Sequence, residues 1–496
     1  MIRRVLIANR GEIALRIIQA CREMNIETIA VFSDADARAP HVLAADRAVA
    51  IGPAPAIQSY LSIPTLISAA RAERADAVHP GYGFLSESAA FARACEQAGV
   101  VFVGPPSEVI SRMGSKIEAR QLMQSAGVPI VPGHVPHDQS DSGVRRALEE
   151  IGFPALVKAS AGGGGKGMRV VEGIAEATGA VQAARREAVA SFGDGTLYVE
   201  RLLDRPRHVE VQVFADAFGH TTHLFERECS AQRRHQKVLE ESPSPALTPA
   251  LRQRMTQAAV AAARAAEYRN AGTIEFLVEG RGDGANFYFL EMNTRLQVEH
   301  AVTEAVVGVD LVRAQLLVAS GEPLPWEEGS LAQRGHAIEA RVYAEDPSRE
   351  FLPQAGRLLL YREPRMPGVR VDAGVAEGHE VTVHYDPMLA KVIAVGETRD
   401  AAISRLAAAL RAYPVLGIRT NIPYLLAVLD HSRFRSGDID TSFLDREAGD
   451  LVHSVPEPPA FLREALRQLG DEADEPRTTT HEANTDPWLT LRDWRA

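Results

Sequence analysis

The segment Glu291-Met292-Asn293-Thr294-Arg295-Leu296-Gln297-Val298-Glu299 carries a polar, hydrogen-bonding side chain at every odd position. In an extended chain, period two places Glu291, Asn293, Arg295, Gln297 and Glu299 on one face. At about 3.3 Å per residue the two terminal carboxylates would stand roughly 26 Å apart. One metal ion cannot collect them unless the chain bends, so two centres are the economical expectation. Glu291 and Asn293 would serve a metal, and Arg295, Gln297 and Glu299 a second, anionic substrate. Glu275 lies mid-strand among apolar neighbours in Gly272-Thr-Ile-Glu275-Phe-Leu277 and is the natural partner of Glu291. Mg²⁺ takes one or two carboxylates plus substrate phosphates, and a buried carboxylate without a cation is costly. The competing reading is a half-exposed amphipathic strand.

A glycine run stands upstream, in Ala155-Leu-Val-Lys158-Ala-Ser-Ala-Gly162-Gly-Gly-Gly165-Lys166-Gly167-Met-Arg-Val-Val171. Glycines let backbone N–H groups close on phosphate oxygens, and the loop can serve as a lid. A Walker P-loop needs Ser or Thr after Gly-Lys and then a helix; here Gly167 and a strand follow, so that class is rejected. The chain has only five lysines, Lys116, Lys158, Lys166, Lys237 and Lys391, against 49 arginines. Lysine kept against such a bias marks places where a compact ammonium does what a planar guanidinium cannot.

His208 and the segment Glu226-Arg-Glu-Cys229-Ser-Ala-Gln232-Arg-Arg-His235-Gln-Lys237 add cations beside this centre. Cys229 reads more readily as a small buried hydrophobe than as a catalytic thiol. His79-Pro-Gly81-Tyr82-Gly83-Phe-Leu-Ser-Glu87 is a glycine-bounded turn that by itself could be purely structural.

The elements that must carry these residues alternate at first. Arg4–Ala8 reads as a strand, Glu12–Met24 as a helix, Glu27–Phe32 as a strand, Leu61–Arg71 as a helix, Ala77–His79 as extended, Phe91–Ala98 as a helix and Val100–Val103 as a strand. This alternation implies an open parallel sheet with crossover helices. Beyond Met113 a helix at Lys116–Ser125 gives way to a polar stretch, His134–Gly143. A series of β-type segments follows, then a long helix over Pro249–Glu267 and strands at Thr273–Val278 and Phe287–Met292. The expected fold is α/β and α+β multidomain: an open parallel α/β domain over 1–113, a body with a mobile lid over 114–328 (lid about 133–203), a C-terminal α+β domain over 329–447, and a flexible tail over 448–496. Within the tail, Phe461–Leu469 could form one amphipathic helix, and Trp488 and Trp494 suggest docking or a tuck back onto the domain.

With 46% hydrophobic and 24% charged residues the composition is that of a globular protein. A net charge of -11 argues against nucleic acid or a membrane surface as partner, since both are anionic. No apolar run is long enough for a bilayer, no signal-peptide pattern opens the chain, and three cysteines without zinc spacing fit a reducing, cytoplasmic setting.

Taken together, these segments resemble the biotin carboxylases, an ATP-grasp family. The likeness rests on IANRGEIALRI, HPGYGFLSE, MGSK, KASAGGGGKGMRVV, ERECSAQRRHQKV, EMNTRLQVEH, HAIEARVYAEDP and YDPMLAKV, in order from Ile7 to Val392, with LGIRTN and DTSFL extending it to about Leu444. The glycine loop departs from the pattern by opening with Ala161 and by using Lys166 where relatives often have arginine.

The resemblance implies an ATP-dependent carboxylation of biotin by bicarbonate, through carboxyphosphate, as the first half-reaction of an acyl-CoA carboxylase. It implies that Lys116, Lys158, Glu200 and His208 hold ATP, that Gly164 and Gly165 close over the phosphates, and that Gln232 and His235 lie near the ribose or phosphates. Glu275 and Glu291, with Asn293 in support, would bind Mg²⁺ or Mn²⁺. Lys237, Arg295, Gln297, Val298 and Glu299 would hold bicarbonate and Arg341 would face biotin, with Glu299, Arg341, Lys237 and Arg295 the catalytic set. No methionine in this sequence is followed by lysine, so biotin is expected on a separate biotin carboxyl carrier protein, with a carboxyltransferase subunit as further partner and a homodimer or hetero-oligomer as assembly. The alternatives are an inactive ATP-binding regulatory paralogue and another ATP-grasp ligase joining a carboxylate to an amine.

Overall fold

The computed structural model describes residues 2–160, 167–327 and 329–452. The glycine run from Gly162 to Lys166, with Gly164 and Gly165, and the expected helix and tryptophans of the tail lie outside the described residues.

The N-terminal alternation builds a five-stranded parallel sheet. Its spatial order is Arg47–Ala50, Glu27–Phe32, Arg4–Ile7, Ala77–His79, Val101–Phe102. The central strand, Arg-Val-Leu-Ile, buries its last three residues because crossover helices cover both faces. One of those helices, Gly11–Glu23, turns Ile13, Ile17, Ala20 and Cys21 inward at helical spacing. The exposed edge strand Arg47–Ala50 shows no alternation of burial, and periodicity does not announce it.

A second sheet has eight antiparallel strands. In spatial order they are Asn286–Asn293, Asn270–Glu279, Arg207–Ala215, Thr221–Arg233, Gln236–Ser242, His336–Tyr343, Met388–Gly396 and Val369–Ala373. Gln236–Ser242 pairs with His336–Tyr343, from Leu239↔Ala340 to Ser242↔Ala337. One hydrogen-bonded surface therefore carries the Glu275 and Glu291 strands at one end and the Arg341 strand four positions beyond the Glu275 strand.

A four-stranded antiparallel sheet, Gly133–His134, Leu197–Arg201, Ala155–Ala159, Met168–Val171, packs against helices Asp141–Ile151 and Ile174–Phe192 around its own core. Both helices depart from the sequence reading. The polar stretch ends in a cap, with the Ser140 hydroxyl accepting from Gly143 N at 3.1 Å, and a helix follows. The longer helix buries Ala177, Val181, Ala184 and Ala188, small residues whose helical spacing is masked by their low hydrophobicity. Helices His300–Val307 and Leu311–Ala319 follow the Glu291–Glu299 segment.

Candidate active site

Strand register sets the site. Glu291 faces Glu275 across one strand pair and Glu275 faces Glu210 across the next, with Arg227 opposite Glu210 on the strand beyond. A bulge beside Glu291, between the pairs Glu275↔Glu291 and Phe276↔Phe289, interrupts the ladder there, the device by which strands re-aim side chains near active sites.

The extended reading of Glu291–Glu299 is corrected here. The strand ends at Asn293, Thr294–Val298 turn back, and Glu299 leads directly into the helix His300–Val307. The turn is held by Glu87, whose carboxylate accepts from Thr294 N at 3.1 Å and from Arg295 Nε at 3.0 Å. The bend brings Asn293, Gln297 and Glu299 within hydrogen-bond reach of Glu275 and Lys237. Glu275 Oε1 accepts from Asn293 Nδ2 at 2.8 Å, from Gln297 Nε2 at 3.3 Å and from Lys237 Nζ at 2.9 Å. Lys237 also reaches Glu210 Oε2 and Glu299 Oε1, each at 2.6 Å. Arg341 Nη2 then links Glu299 Oε2, at 2.9 Å, to Glu240 Oε1, at 2.5 Å.

Charge within this network is unevenly distributed. Burial opposes ionisation of Glu299, yet Lys237 and Arg341 together hold its carboxyl well below the usual range. Glu240, which shares Arg341 with Glu299, is pushed up to about 7 by burial. Burial and the neighbouring Glu299 likewise raise Glu210, and the three carboxylates around Lys237 outweigh burial and raise its ammonium well above the ordinary value. Arg227 is wholly buried and fastens Glu210 Oε1 at 2.6 Å, Gln212 at 2.8 Å, and Thr273 and Thr303 at 3.0 Å each. Its guanidinium thus fixes the acid that Lys237 leans on.

Whether a divalent cation suits this place can be judged from Glu291. Burial first, and then the facing Glu275, raise its carboxyl, the expected result when two acids share a site that no cation neutralises. Glu275 itself, despite burial, is held low by Lys237 and by His208, whose Nε2 lies 3.0 Å from Glu275 Oε2. Among the described residues three groups offer three donors to a metal, and two of them lie in this network, His208–Glu210–Glu275 and Glu210–Cys229–Glu299; the third, His431–Glu447–Asp450, lies elsewhere, and none includes Glu291. Glu275 and Glu291 therefore fit Mg²⁺ in the manner that leaves most positions to phosphate oxygens and water.

On the four-stranded sheet, Glu200 is gripped by Arg120 Nη1 at 2.7 Å and by Lys158 Nζ at 2.9 Å. Ser115 caps the helix Lys116–Ser125 and puts Lys116 in its first turn. Burial and the Lys158 charge lower the Lys116 ammonium, so two cations converge here as a polyphosphate would require. Gln232 is buried in register with Lys237. His235 stands apart, exposed at the tip of the hairpin with Arg234, both at positive φ. Cys229 is buried, its thiol 4.0 Å from Glu299 Oε1 and raised well above its ordinary value by burial, which suits a packing residue better than a nucleophile.

Glu87, Arg120, Glu210, Arg227 and Glu240 were not singled out by the sequence reading. Glu210 had a visible signal, since His208, Glu210 and Gln212 alternate with valines on one strand. Glu87 closes the glycine-bounded turn motif; nothing local distinguishes it from a structural residue.

Three protein families match in succession: "Biotin carboxylase, N-terminal domain" over residues 1–110, "Carbamoyl-phosphate synthase L chain, ATP binding domain" over 115–327, and "Biotin carboxylase C-terminal domain" over 339–446. The mitochondrial methylcrotonoyl-CoA carboxylase subunit alpha of Rattus norvegicus is 48% identical over 452 residues, 91% of this chain but 63% of that protein. The chain thus spans less than two thirds of that relative's length. The biotin carboxylase of Halalkalibacterium halodurans is 50% identical over 444 residues, 90% of this chain and 97% of that one. Among solved structures, the biotin carboxylase domain dimer of Hydrogenobacter thermophilus 2-oxoglutarate carboxylase, in complex with MgADP, ADP and bicarbonate, superposes with a TM-score of 0.87 at 40% identity, covering 92% of this chain and 100% of that chain.

Proposed function

The chain belongs to the biotin carboxylase family, and from that membership we propose that its buried ion network carries out ATP-dependent carboxylation of biotin by bicarbonate, the first half-reaction of an acyl-CoA carboxylase. The observation that carries this reading is the bridge through Lys237, which ties the acid facing Glu291 to Glu299 and, through Glu299, to Arg341.

Lys116, Lys158 and Glu200 bind the nucleotide, with His208 and Gln232 beside it; Gly164, Gly165 and His235 carry the same assignment from the family likeness alone. Glu275 and Glu291, with Asn293 in support, would hold Mg²⁺, which would supply positive charge to offset that of the phosphates. Lys237, Arg295, Gln297 and the Val298 segment hold bicarbonate against Glu299. Glu299, kept ionised by its two cations, accepts the bicarbonate proton, and the freed oxygen attacks the γ-phosphorus of ATP as its bond to the bridging oxygen breaks and ADP leaves, giving carboxyphosphate. Positioning and electrostatics supply most of the acceleration, since the groups are in place before the charge develops. Carboxyphosphate then yields CO₂ and phosphate, phosphate takes the ureido proton of biotin, Arg341 stabilises the resulting oxyanion, and the ureido nitrogen bonds to the carbon of CO₂ to give carboxybiotin, leaving the protonated phosphate as product.

Biotin reaches the site on a carrier protein, and a carboxyltransferase completes the reaction on an acyl-CoA; self-association as a dimer belongs to the same reading. The deciding measurement is ATP hydrolysis with bicarbonate and free biotin supplied in turn. Hydrolysis that requires bicarbonate and is stimulated by biotin supports the reading. Phosphate release driven by an amine acceptor and indifferent to biotin overturns it in favour of a carboxylate–amine ligase. A folded protein that binds ATP and turns over nothing is a regulatory paralogue.

A further inference from the structure

Lys391 takes no part in the chemistry above, yet it is one of five lysines in an arginine-rich chain and is wholly buried. Its strand, Met388–Gly396, sets it opposite Arg341 on one side and Asp372 on the other. The ammonium donates to the Val298 carbonyl at 2.8 Å. Its nearest counter-charges, Glu12 Oε1 at 3.5 Å and Asp372 Oδ2 at 3.6 Å, balance it from farther away. Each of those acids is itself anchored. Tyr82 donates its hydroxyl to Glu12, and Arg370 grips Asp372 with Nε and Nη2 at 2.7 Å each. Glu12 comes this close because Gly374 has no side chain: a Cβ there would stand 2.6 Å from the Glu12 amide nitrogen.

We propose that Lys391 is a positioning residue for the bicarbonate step: by pinning the Val298 carbonyl it sets the turn that presents Gln297, Val298 and Glu299. A buried ammonium that spends its short hydrogen bond on one peptide oxygen constrains that peptide, and the constrained peptide leads straight into the base. A guanidinium would not fit a single carbonyl between two acids so closely. The same arrangement gives a task to the IANRGE and HPGYG segments, which supply Glu12 and Tyr82. This inference rests on the reading of 297–299 as the bicarbonate site.

The test compares the wild type, Lys391→Met, and Lys391→Met combined with Glu12→Gln. Melting temperature, ADP affinity, and kcat and KM for bicarbonate in ATP hydrolysis are measured for each. Lys391→Met strands two acids without their shared cation and lowers the melting temperature. Adding Glu12→Gln removes one of those acids and restores much of the loss. If Lys391 positions the turn, both variants keep a bicarbonate KM raised about tenfold while ADP affinity stays within about twofold. A double variant with the wild-type bicarbonate KM reduces Lys391 to charge pairing and overturns the inference. So does equal loss of ADP and bicarbonate affinity, or a double variant that does not fold. A wild type whose ATP hydrolysis ignores bicarbonate overturns the site reading itself, and the two failures are thereby told apart.

Discussion

Arg341 and Glu299 lie 42 residues apart in sequence and meet through a 2.9 Å hydrogen bond, in a pocket where Glu299 has no exposed surface and Arg341 only 8%. The group assigned to biotin and the base assigned to bicarbonate are therefore neighbours before either substrate arrives. Each sets the charge of the other: Arg341 helps to hold Glu299 ionised, and Glu299 helps to keep the guanidinium protonated.

Replacing Glu299 with Gln keeps the shape of the side chain and removes the base. Nucleotide affinity should stay near the wild-type value, while bicarbonate-dependent turnover falls by about a hundredfold or more. Calorimetry with ADP and a phosphate-release assay separate the two. Parallel loss of both would point to misfolding and away from a lost base.

Lys237→Arg tests whether shape matters where three carboxylates converge on one nitrogen at 2.6 to 2.9 Å. A planar fork cannot meet Glu210, Glu275 and Glu299 from one point. Turnover should drop about tenfold or more even though the charge is retained. Near wild-type kcat/KM would show that charge alone suffices.

Glu291→Gln removes an acid that burial and Glu275 already hold above its usual range. The ligand-free protein should melt no lower than the wild type. The Mg²⁺ concentration needed for half-maximal ATP hydrolysis should rise about tenfold or more. Chelator should silence the wild type, and Mg²⁺ or Mn²⁺ should restore it. An unchanged Mg²⁺ requirement would remove Glu291 from the metal site.

Glu240 predicts a pH dependence of stability. Its folded value, pushed up to about 7 by burial from an ordinary 4.5, means that the fold prefers the protonated acid. That contribution is complete below the unfolded value and is lost as pH rises through the folded one, on the order of 3 kcal/mol in all. Between about pH 5 and pH 8 the ligand-free melting temperature should therefore decline less in Glu240→Gln than in the wild type. Thermal scans with parallel slopes for the two proteins would rule this out.

Much of the fold is legible in the sequence, because the signals are local. Alternation of strand and helix over the first hundred residues reports a parallel sheet, and Glu27–Phe32, Ala77–His79 and Lys116–Ser125 begin and end where periodicity places them. Glu275, mid-strand among apolar neighbours, is the natural partner of Glu291 at the head of the alternating polar row, and the register pairs them. The helix Ile174–Phe192 escaped because alanine marks its buried face too weakly for periodicity to register. The expected straight run to Glu299 failed because what bends it is not in the segment: Glu87, 207 residues away, takes the Thr294 amide.

The amino-acid sequence alone determined the chemical inventory and its order along the chain: the acids Glu275 and Glu291, the five lysines, Glu299 and Arg341, whose roles are those proposed above. Residue type and short-range spacing carry that information, since propensity and side-chain alternation act over a few residues. Only the tertiary structure decided that Lys237 joins Glu210, Glu275 and Glu299 and that Arg341 reaches Glu299. Lys237 touches acids 27, 38 and 62 residues away, and Lys391 reaches a carbonyl 93 residues away. Such ion pairs exist because strand register and burial bring distant charges into a low-dielectric interior, where each must find a counter-charge, and no local pattern encodes which one it finds.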